Sequence, residues 1–220
     1  MAIVLVDYHK GNIRSVQRGL QAAGAQVLVS DSPEDVRRAE AVVLPGVGAY
    51  RDASDTLQEL GLMGALRDAC DRGVPFLGIC LGMHLMFEGG EEHASASSPA
   101  PGLGLLPGVV GRVSPEDAEG RHFKVPHVGW NAVDLTGYAR YCPLFAGVES
   151  GTHFYFTHSY VCVPAKEERV VATTEHGTRF ASAVWNGGNL FGCQFHPEKS
   201  SDAGARIMEN FVHIAQGGSL

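Results

Sequence analysis

The chain has 220 residues, 45% of them hydrophobic, which is enough to bury one sizeable core, and we predict a single domain over residues 1–220. Its formal net charge is −7 and its Lys and Arg residues are scattered, which argues against nucleic acid or an anionic membrane surface as a partner. The five cysteines form no Cys-x-x-Cys pair, and the ten histidines lack the close helical spacing of a metal-binding pair, so we predict no disulfide framework, no metal and no cofactor.

The first residues, MAIVLVDYHKGN, contain no basic leader and only a short apolar run before Asp7. No later segment is apolar enough to cross a membrane. These features predict a cytoplasmic protein.

The first half of the chain alternates short apolar runs with amphipathic segments. The apolar runs predict strands at Ala2–Val6, Gln26–Ser30, Ala41–Leu44 and Phe76–Ile79. Helical spacing and capping residues predict helices from Ile13 to a C-cap at Gly24, after Ser32 with Pro33 in the first position, at Ala53–Leu60 and at Met63–Arg72. This alternation predicts the α/β class, with a mostly parallel central sheet flanked by helices.

The second half of the chain has a different amino-acid composition and is predicted to be richer in strands. Residues 88–102, EGGEEHASASSPAPG, are small and polar and predict a surface loop. Strands are predicted at Val161–Val163 and Val170–Thr174, and a hairpin within residues 180–195 turns at Asn186–Asn189. A final helix, capped by Ser201 and Asp202, is predicted from the shared face of Ala203, Ile207, Phe211 and Ile214.

The segment PFLGICLGM places Cys80 between Gly78 and Gly82, directly after a predicted buried strand. A nucleophile between two glycines at a strand-to-helix turn is the pattern of a nucleophile elbow, in which a sharp turn exposes the central side chain. The following N–H of Leu81 can then bind an oxyanion. The other interpretation is a buried cysteine in a closely packed turn, because free cysteine is a common core residue.

A cysteine nucleophile needs a base, and His196 in CQFHPEKS is the best candidate. Pro197 stops the strand, and Glu198 lies two residues beyond His196, on the same side of an extended chain, where it can orient the imidazole. Cys80, His196 and Glu198 then form a catalytic triad. Taken alone, this segment is more typical of an ordinary strand exit with a solvated charge cluster.

A third segment, Pro45-Gly46-Val47-Gly48, follows the strand Ala41–Leu44. Loops that follow neighbouring parallel strands open on the same edge of a sheet, so this loop is expected beside Cys80. Its backbone can offer a second oxyanion donor, although turn formation alone also explains the two glycines.

At these residues the sequence resembles the class I glutamine amidotransferases, which carry the same three motifs in the same order on a flavodoxin-like sheet. DYHKGNIRSV, KVPHVGWN, FYFTHSYV and CQFHPEKS further resemble, along the whole chain, the free-standing glutaminase subunits of imidazole glycerol phosphate synthases. The resemblance implies that Cys80 attacks the side-chain amide of glutamine, that His196 protonates the departing ammonia and that water hydrolyses the thioester. It also implies an oxyanion hole from Gly46, Val47, Gly48 and Leu81, and substrate contacts from His84, Glu92, Ser159 and Tyr160.

The resemblance implies a partner as well. In this family a (β/α)8-barrel cyclase subunit docks over the glutaminase site, forms a heterodimer and receives the ammonia for histidine biosynthesis. The residues that the resemblance places near that interface are Asn12, His127, Val128, Trp130, Tyr155 and Lys199.

The chain departs from the family at position 84, where family members usually have a glutamine that lies over the substrate. His84 can form one hydrogen bond with its ring edge, and a protonated ring would add charge beside the thiolate. We therefore hypothesise an altered affinity for glutamine. The segment DYHKGN also departs from the small residues usual between Tyr8 and Gly11, on the expected partner face.

Three alternative functions stay open on the sequence alone. The chain could be a glutaminase that serves another synthase, although PHVGWN and the lack of a fused synthase domain argue against it. It could be a non-enzymatic binding subunit, although the presence of all three triad residues argues against that. A peptidase or γ-glutamyl hydrolase of related fold would use the same cysteine and histidine.

Overall fold

The computed structural model describes residues 2–95 and 98–218, and over these residues the backbone forms thirteen β-strands and six α-helices. The strands are β1 Ala2–Val6, β2 Gln26–Ser30, β3 Ala41–Leu44, β4 Phe76–Ile79, β5 Gly89–Ser95, β6 Ser98–Pro101, β7 Gly108–Arg112, β8 His127–Leu135, β9 Thr152–His158, β10 Tyr160–Pro164, β11 Val170–His176, β12 Thr178–Trp185 and β13 Leu190–Cys193. The helices are α1 Ile13–Ala22, α2 Pro33–Arg38, α3 Tyr50–Glu59, α4 Leu62–Asp71, α5 Leu81–Leu85 and α6 Ser201–Ala215.

The larger sheet has nine strands within the described residues, in the order β2-β1-β3-β4-β13-β12-β11-β8-β9. Neighbours from β2 to β13 are parallel, and neighbours from β13 to β9 are antiparallel. The predicted α/β class is confirmed. The sheet as a whole is mixed, because the strand-rich second half extends the parallel core within the same sheet.

The strand and helix predictions for the first eighty residues agree closely with the structure. Strands β3 and β4 are buried along their whole length, as expected for parallel strands covered by helices on both faces. Helix α1 buries Val16 and Leu20, and Gly24 follows its end at φ +90°, a conformation that favours glycine. The Ser32 hydroxyl accepts the Asp35 N–H and caps α2, as predicted.

The prediction of a surface loop over residues 88–102 was wrong. Strands β5 and β6 pair within this segment and join β7 and β10 in a second sheet of order β10-β7-β5-β6; residues 96 and 97 lie outside the described residues. Gly89 and Gly90 are buried, and a Cβ at Gly90 would lie 2.7 Å from the Tyr50 ring. The small residues that resembled a loop are needed here because the strand packs closely against α3.

The terminal hairpin and helix are present, but the helix cap was misplaced. Strands β12 and β13 pair in antiparallel register, which confirms the hairpin. Helix α6 begins at Ser201, and its cap position is Ser200 rather than Ser201 and Asp202. The reason is tertiary, because the Ser200 hydroxyl donates to the His196 carbonyl and accepts the Tyr155 N–H. The α6 face predicted from the sequence packs on the core through Ile207 and Phe211.

The sheet order brings the ends of three strands together. Because β3, β4 and β13 are adjacent and parallel, the segments that follow Leu44, Ile79 and Cys193 open on the same edge. The residues at that edge are the loop Pro45–Gly48, Cys80 and His196. Elsewhere in the fold, no helix within residues 2–95 and 98–218 combines the length and apolar character needed to cross a membrane.

Candidate active site

Cys80 occupies a strained turn between β4 and α5. Its φ of 53° and ψ of −110° lie outside the regions that side-chain-bearing residues ordinarily adopt. Both flanking glycines are required by close packing: a Cβ at Gly82 would lie 1.8 Å from the Leu44 carbonyl oxygen, and one at Gly78 would lie 2.8 Å from the Gly82 carbonyl oxygen. The backbone therefore has the elbow geometry that the glycine spacing predicts.

His196 and Glu198 are paired beside Cys80. The Nδ1 of His196 lies 2.9 Å from Glu198 Oε1, and the two side chains are 2% and 1% exposed. Burial lowers the pKa of His196, but the negative charges of Cys80 and Glu198 outweigh it and raise that pKa above its ordinary value. The arrangement favours an imidazolium next to a thiolate, with Nε2 as the ring nitrogen left for the sulfur.

The loop Pro45–Gly48, here called the oxyanion loop, packs against the turn at Cys80, where a Cβ at Gly46 would lie 2.9 Å from the Leu81 Cβ. Tyr8 donates its hydroxyl hydrogen to the Pro45 carbonyl at 2.9 Å. Gly46 is buried, and a Cβ there would lie 2.3 Å from the Tyr8 oxygen, so only glycine fits. Gly48 is exposed at φ +103°. Opposite the loop, Leu81 is the first residue of α5, so its N–H has no carbonyl partner one turn earlier in that helix.

A cavity of about 480 Å³ opens at Cys80, and its wall contains eight of the eleven residues predicted for catalysis, the oxyanion hole and substrate binding. Its lining comprises Val47, Gly48, Ala49, Cys80, Leu81, His84, Glu92, Pro126, Thr157, His158, Ser159 and Tyr160. The four residues predicted to contact substrate are all in this wall. His196 and Glu198 do not line it.

Two of the predicted substrate contacts have partners within the protein. Glu92, on β5, accepts the Tyr50 N–H through Oε2 at 2.8 Å, which fixes the carboxylate at the cavity wall. The Nε2 of His84 lies 2.7 Å from Gln194 Oε1. Burial lowers the pKa of His84 to about 4, although the bond to Gln194 opposes this effect. His84 is therefore neutral near pH 7 and adds no charge beside the Cys80 sulfur.

Four of the six residues predicted for the partner interface lie together near the site. Val128 and Trp130 alternate on the outer face of β8 and are 57% and 53% exposed. The Trp130 ring meets the Tyr155 ring edge-on at 6.2 Å between centroids, and Lys199 Nζ lies 5.6 Å from the centroid of the Tyr155 ring. Because these side chains form one exposed apolar and aromatic patch, the arrangement suits a protein contact.

The other two predicted interface residues are placed differently. Asn12 is half-buried at the cap position of α1, at the edge of the sheet where β1 ends. His127 is buried, so its side chain does not lie on the surface. Its Nδ1 is 2.9 Å from Nε2 of His158, and its ring stacks on His176 at 4.1 Å between centroids.

Two residues next to the site were not identified from the sequence. Tyr8 holds the oxyanion loop, and Gln194 lies between His84 and Cys80. Gln194 directly follows β13 and lies two positions before His196, so its nearness in sequence to the candidate base is the signal that could have identified it. Nothing local to DYHKGN indicates the partner of Tyr8, because Pro45 lies 37 positions away.

The site is composed of protein side chains and backbone groups. Within the described ranges, no three or more His, Cys, Asp or Glu residues are grouped so as to hold a metal ion. All five cysteines are buried and free.

Comparison with known proteins identifies the class that this fold and site define. Residues 4–215 match the family described as Glutamine amidotransferase class-I. The chain therefore belongs to the class I glutamine amidotransferases.

Comparison with curated relatives identifies the family within this class. The protein named imidazole glycerol phosphate synthase subunit HisH of Moorella thermoacetica is 47% identical to this chain over 214 residues, covering 97% of the chain and 95% of that protein. Its namesake in Syntrophotalea carbinolica is 44% identical, covering 95% and 98%. Within the class, the chain belongs to the HisH family.

Solved structures share the fold at low sequence identity. The structure of PurLQS from Thermotoga maritima superposes with a TM-score of 0.72 at 19% identity, covering 97% of this chain and 98% of that one. The glutaminase domain of Trypanosoma brucei CTPS with bound acivicin gives 0.71 at 16% identity, covering 100% and 95%. At these identities the likeness establishes the fold alone.

Proposed function

We propose that this chain is the glutaminase subunit of an imidazole glycerol phosphate synthase, which hydrolyses glutamine and passes ammonia to a synthase partner for histidine biosynthesis. The observation that carries the proposal is the arrangement of Cys80 in the cavity wall with the buried His196–Glu198 pair beside it, in a chain that matches HisH relatives over nearly its full length. We also propose that residues 1–220 act as one domain.

The first half of the reaction forms a thioester. The Cys80 thiolate attacks the Cδ of the glutamine side chain, and the carbonyl π electrons move to oxygen as the C–S bond forms. The imidazolium of His196 then gives its Nε2 proton to the amide nitrogen, the C–N bond breaks and ammonia leaves. Glu198 keeps its hydrogen bond to Nδ1 throughout, so the ring stays in the orientation that proton transfer requires.

The second half regenerates the thiolate. Neutral His196 removes a proton from a water molecule while the water oxygen attacks the thioester carbonyl. The tetrahedral species collapses, the C–S bond breaks, and the new carboxylic acid loses its remaining water proton to solvent as glutamate leaves. The cysteine is again a thiolate and the histidine again carries its proton, which is the pair that the raised pKa of His196 favours.

Both tetrahedral species carry an oxyanion that needs hydrogen-bond donors. The N–H of Leu81 serves as one donor, and the backbone of Gly46, Val47 and Gly48 supplies the other. The Tyr8 contact supports this role, because it fixes the first peptide of the oxyanion loop while Val47 and Gly48 remain exposed. A peptide rotation at these outer residues would aim an N–H at the oxyanion.

The amino-acid end of glutamine is proposed to bind at the opposite wall of the cavity. Glu92 is proposed to face the α-ammonium group, since its carboxylate is already fixed by the Tyr50 N–H. Ser159 and Tyr160 complete that wall, and His84 also lines the cavity.

The partner is proposed to be a (β/α)8-barrel cyclase subunit that forms a heterodimer with this chain. The exposed patch of Val128, Trp130, Tyr155 and Lys199 supports a docking surface, and Asn12 and the backbone at His127 would lie at its margin. Ammonia that enters the barrel directly avoids dilution and protonation in water. We place the complex in the cytoplasm.

The test is glutamate release from glutamine by the purified chain, alone and with a matching barrel subunit plus its nucleotide ligand. Turnover that requires both Cys80 and the liganded barrel is expected, and Cys80→Ala is the control. Complex formation without turnover would instead indicate a binding subunit. Failure to form the complex would point to another synthase, and efficient turnover of γ-glutamyl peptides by the chain alone would point to a hydrolase.

A further inference from the structure

The side chain of Gln194 lies between His84 and the sulfur of Cys80. Its Oε1 is 2.7 Å from His84 Nε2, and its Nε2 is 3.8 Å from Cys80 Sγ. Gln194 is fully buried, while His84 and Cys80 are 4% and 5% exposed. The three side chains therefore form a continuous contact that solvent does not interrupt.

The orientation of the Gln194 amide follows from the hydrogen bonds that Cys80 and His84 can form. A thiolate only accepts hydrogen bonds, so the Gln194 group that faces it has to be the NH2. The amide oxygen then faces His84 and needs a donor, which is Nε2–H of a neutral imidazole. The lowered pKa of His84 agrees with a neutral ring. If the amide were reversed, its oxygen would face the sulfur and would favour the protonated thiol.

We propose that Gln194 is a positioning residue that donates an N–H to the Cys80 thiolate, and that His84 sets the orientation of the Gln194 amide. The proposal rests on the proposed role of Cys80 as nucleophile. It assigns position 84 a function toward the protein's own nucleophile, in addition to any contact with glutamine.

The other groups around the sulfur make this donor significant. The Thr157 carbonyl oxygen lies 3.9 Å from Sγ and can accept only from the protonated thiol. Tyr8, just after β1, and Cys162, on β10, also interact electrostatically with Cys80, and both are buried. His196 stabilises the thiolate from one side, and Gln194 adds a neutral donor that holds the sulfur in place.

The first test measures the alkylation of Cys80 by iodoacetamide as a function of pH, with the modified peptide quantified by mass spectrometry. Gln194→Met keeps the length of the side chain and removes its N–H. It is expected to slow alkylation at pH 7 roughly ten-fold and to raise the midpoint of the pH profile by about one pH unit. Gln194→Glu, which places a carboxylate near the sulfur, is expected to raise the midpoint further.

The matched control is Ser182→Ala. The Ser182 carbonyl accepts the Gln194 backbone N–H, and its hydroxyl is buried without a hydrogen-bond partner in the described structure. This variant disturbs the same packing without touching the amide, so it is expected to leave the alkylation profile unchanged. A purely structural role for Gln194 would lower Tm in both Gln194 variants without moving the midpoint, and that result would overturn the proposal.

The second test asks whether His84 acts through Gln194. His84→Leu is expected to reproduce most of the Gln194→Met effect. The double variant is expected to match Gln194→Met alone, because both substitutions remove the same hydrogen bond to the sulfur. His84→Gln can still donate to Gln194 Oε1 and is expected to keep the alkylation profile of the native protein. Additive effects in the double variant would overturn the role of His84. These measurements read the thiolate itself, so they stay informative if glutamate release fails and the proposed function is wrong.

Discussion

Tyr8 and Pro45 are joined by a buried hydrogen bond of 2.9 Å between the phenolic hydroxyl and the carbonyl oxygen at the start of the oxyanion loop. Tyr8→Phe removes the donor and leaves the carbonyl unpaired. We expect a loss of about 1 kcal/mol in the free energy of unfolding. We also expect kcat for glutamine hydrolysis in the complex to fall several-fold with KM little changed, since the oxyanion forms only during the reaction. An unchanged or increased kcat would contradict this role.

The strained backbone at Cys80 predicts a gain in stability when function is removed. At φ 53° a glycine is unstrained, whereas alanine keeps the strain. The free energy of unfolding of Cys80→Gly, measured in urea, is therefore expected to exceed that of Cys80→Ala by about 1 kcal/mol. Both variants are expected to lack turnover. Equal stability of the two would show that the turn stores no strain, and turnover by either would end the assignment of the nucleophile.

The residue at position 84 is expected to affect the affinity for glutamine. His84→Gln restores a planar amide with both a donor and an acceptor on the cavity wall. We expect a several-fold lower KM for glutamine in the liganded complex than in the native protein. An identical KM would show that a histidine side chain at position 84 binds the substrate as well as a glutamine side chain does.

The buried histidines predict sensitivity to acid. Burial lowers the pKa values of His84 and His127 from 6.5 to about 4. Between those values the unfolded chain takes up protons that the folded chain does not, so stability falls as the pH drops from about 6.5 towards 4 and is unaffected by these groups above 6.5. Each group contributes about 1.4 kcal/mol per pH unit in this window, so the free energy of unfolding measured in urea should fall by roughly 5 kcal/mol between pH 7 and pH 4.5. His84→Gln should remove part of this slope, and an unaltered slope would contradict the assignment.

The exposed aromatic patch predicts the effect of a surface substitution on assembly. Trp130→Ala removes a side chain that is 53% exposed and contacts Tyr155. We expect the Kd for the barrel subunit to rise by roughly ten-fold or more, with no change in Tm. Tyr141→Ala is the matched control, because Tyr141 is 60% exposed and lies outside the predicted interface. Equal effects of the two substitutions would refute the location of the interface.

Much of the fold was predictable from local patterns. Burial in strands β3 and β4, the cap at Ser32 and the hairpin before His196 all depend on residues within one element or turn. The segment of residues 88–102 was not predictable, because its pairing depends on backbone contacts with α3 and on strands whose residues come later in the chain. The prediction of the α6 cap was wrong for the same reason, since Ser200 is fixed by contacts with His196 and Tyr155.

The sequence by itself determined which chemical groups the site contains. The glycines around Cys80 and the two-residue spacing of His196 and Glu198 are local features, and short-range geometry is enough to interpret them. Tertiary structure decided which of these groups meet, because adjacency of β4 and β13 in the sheet is a long-range choice. That choice brings Gln194 to Cys80 across 114 positions of sequence and His84 to Gln194 across 110, contacts that no local pattern encodes.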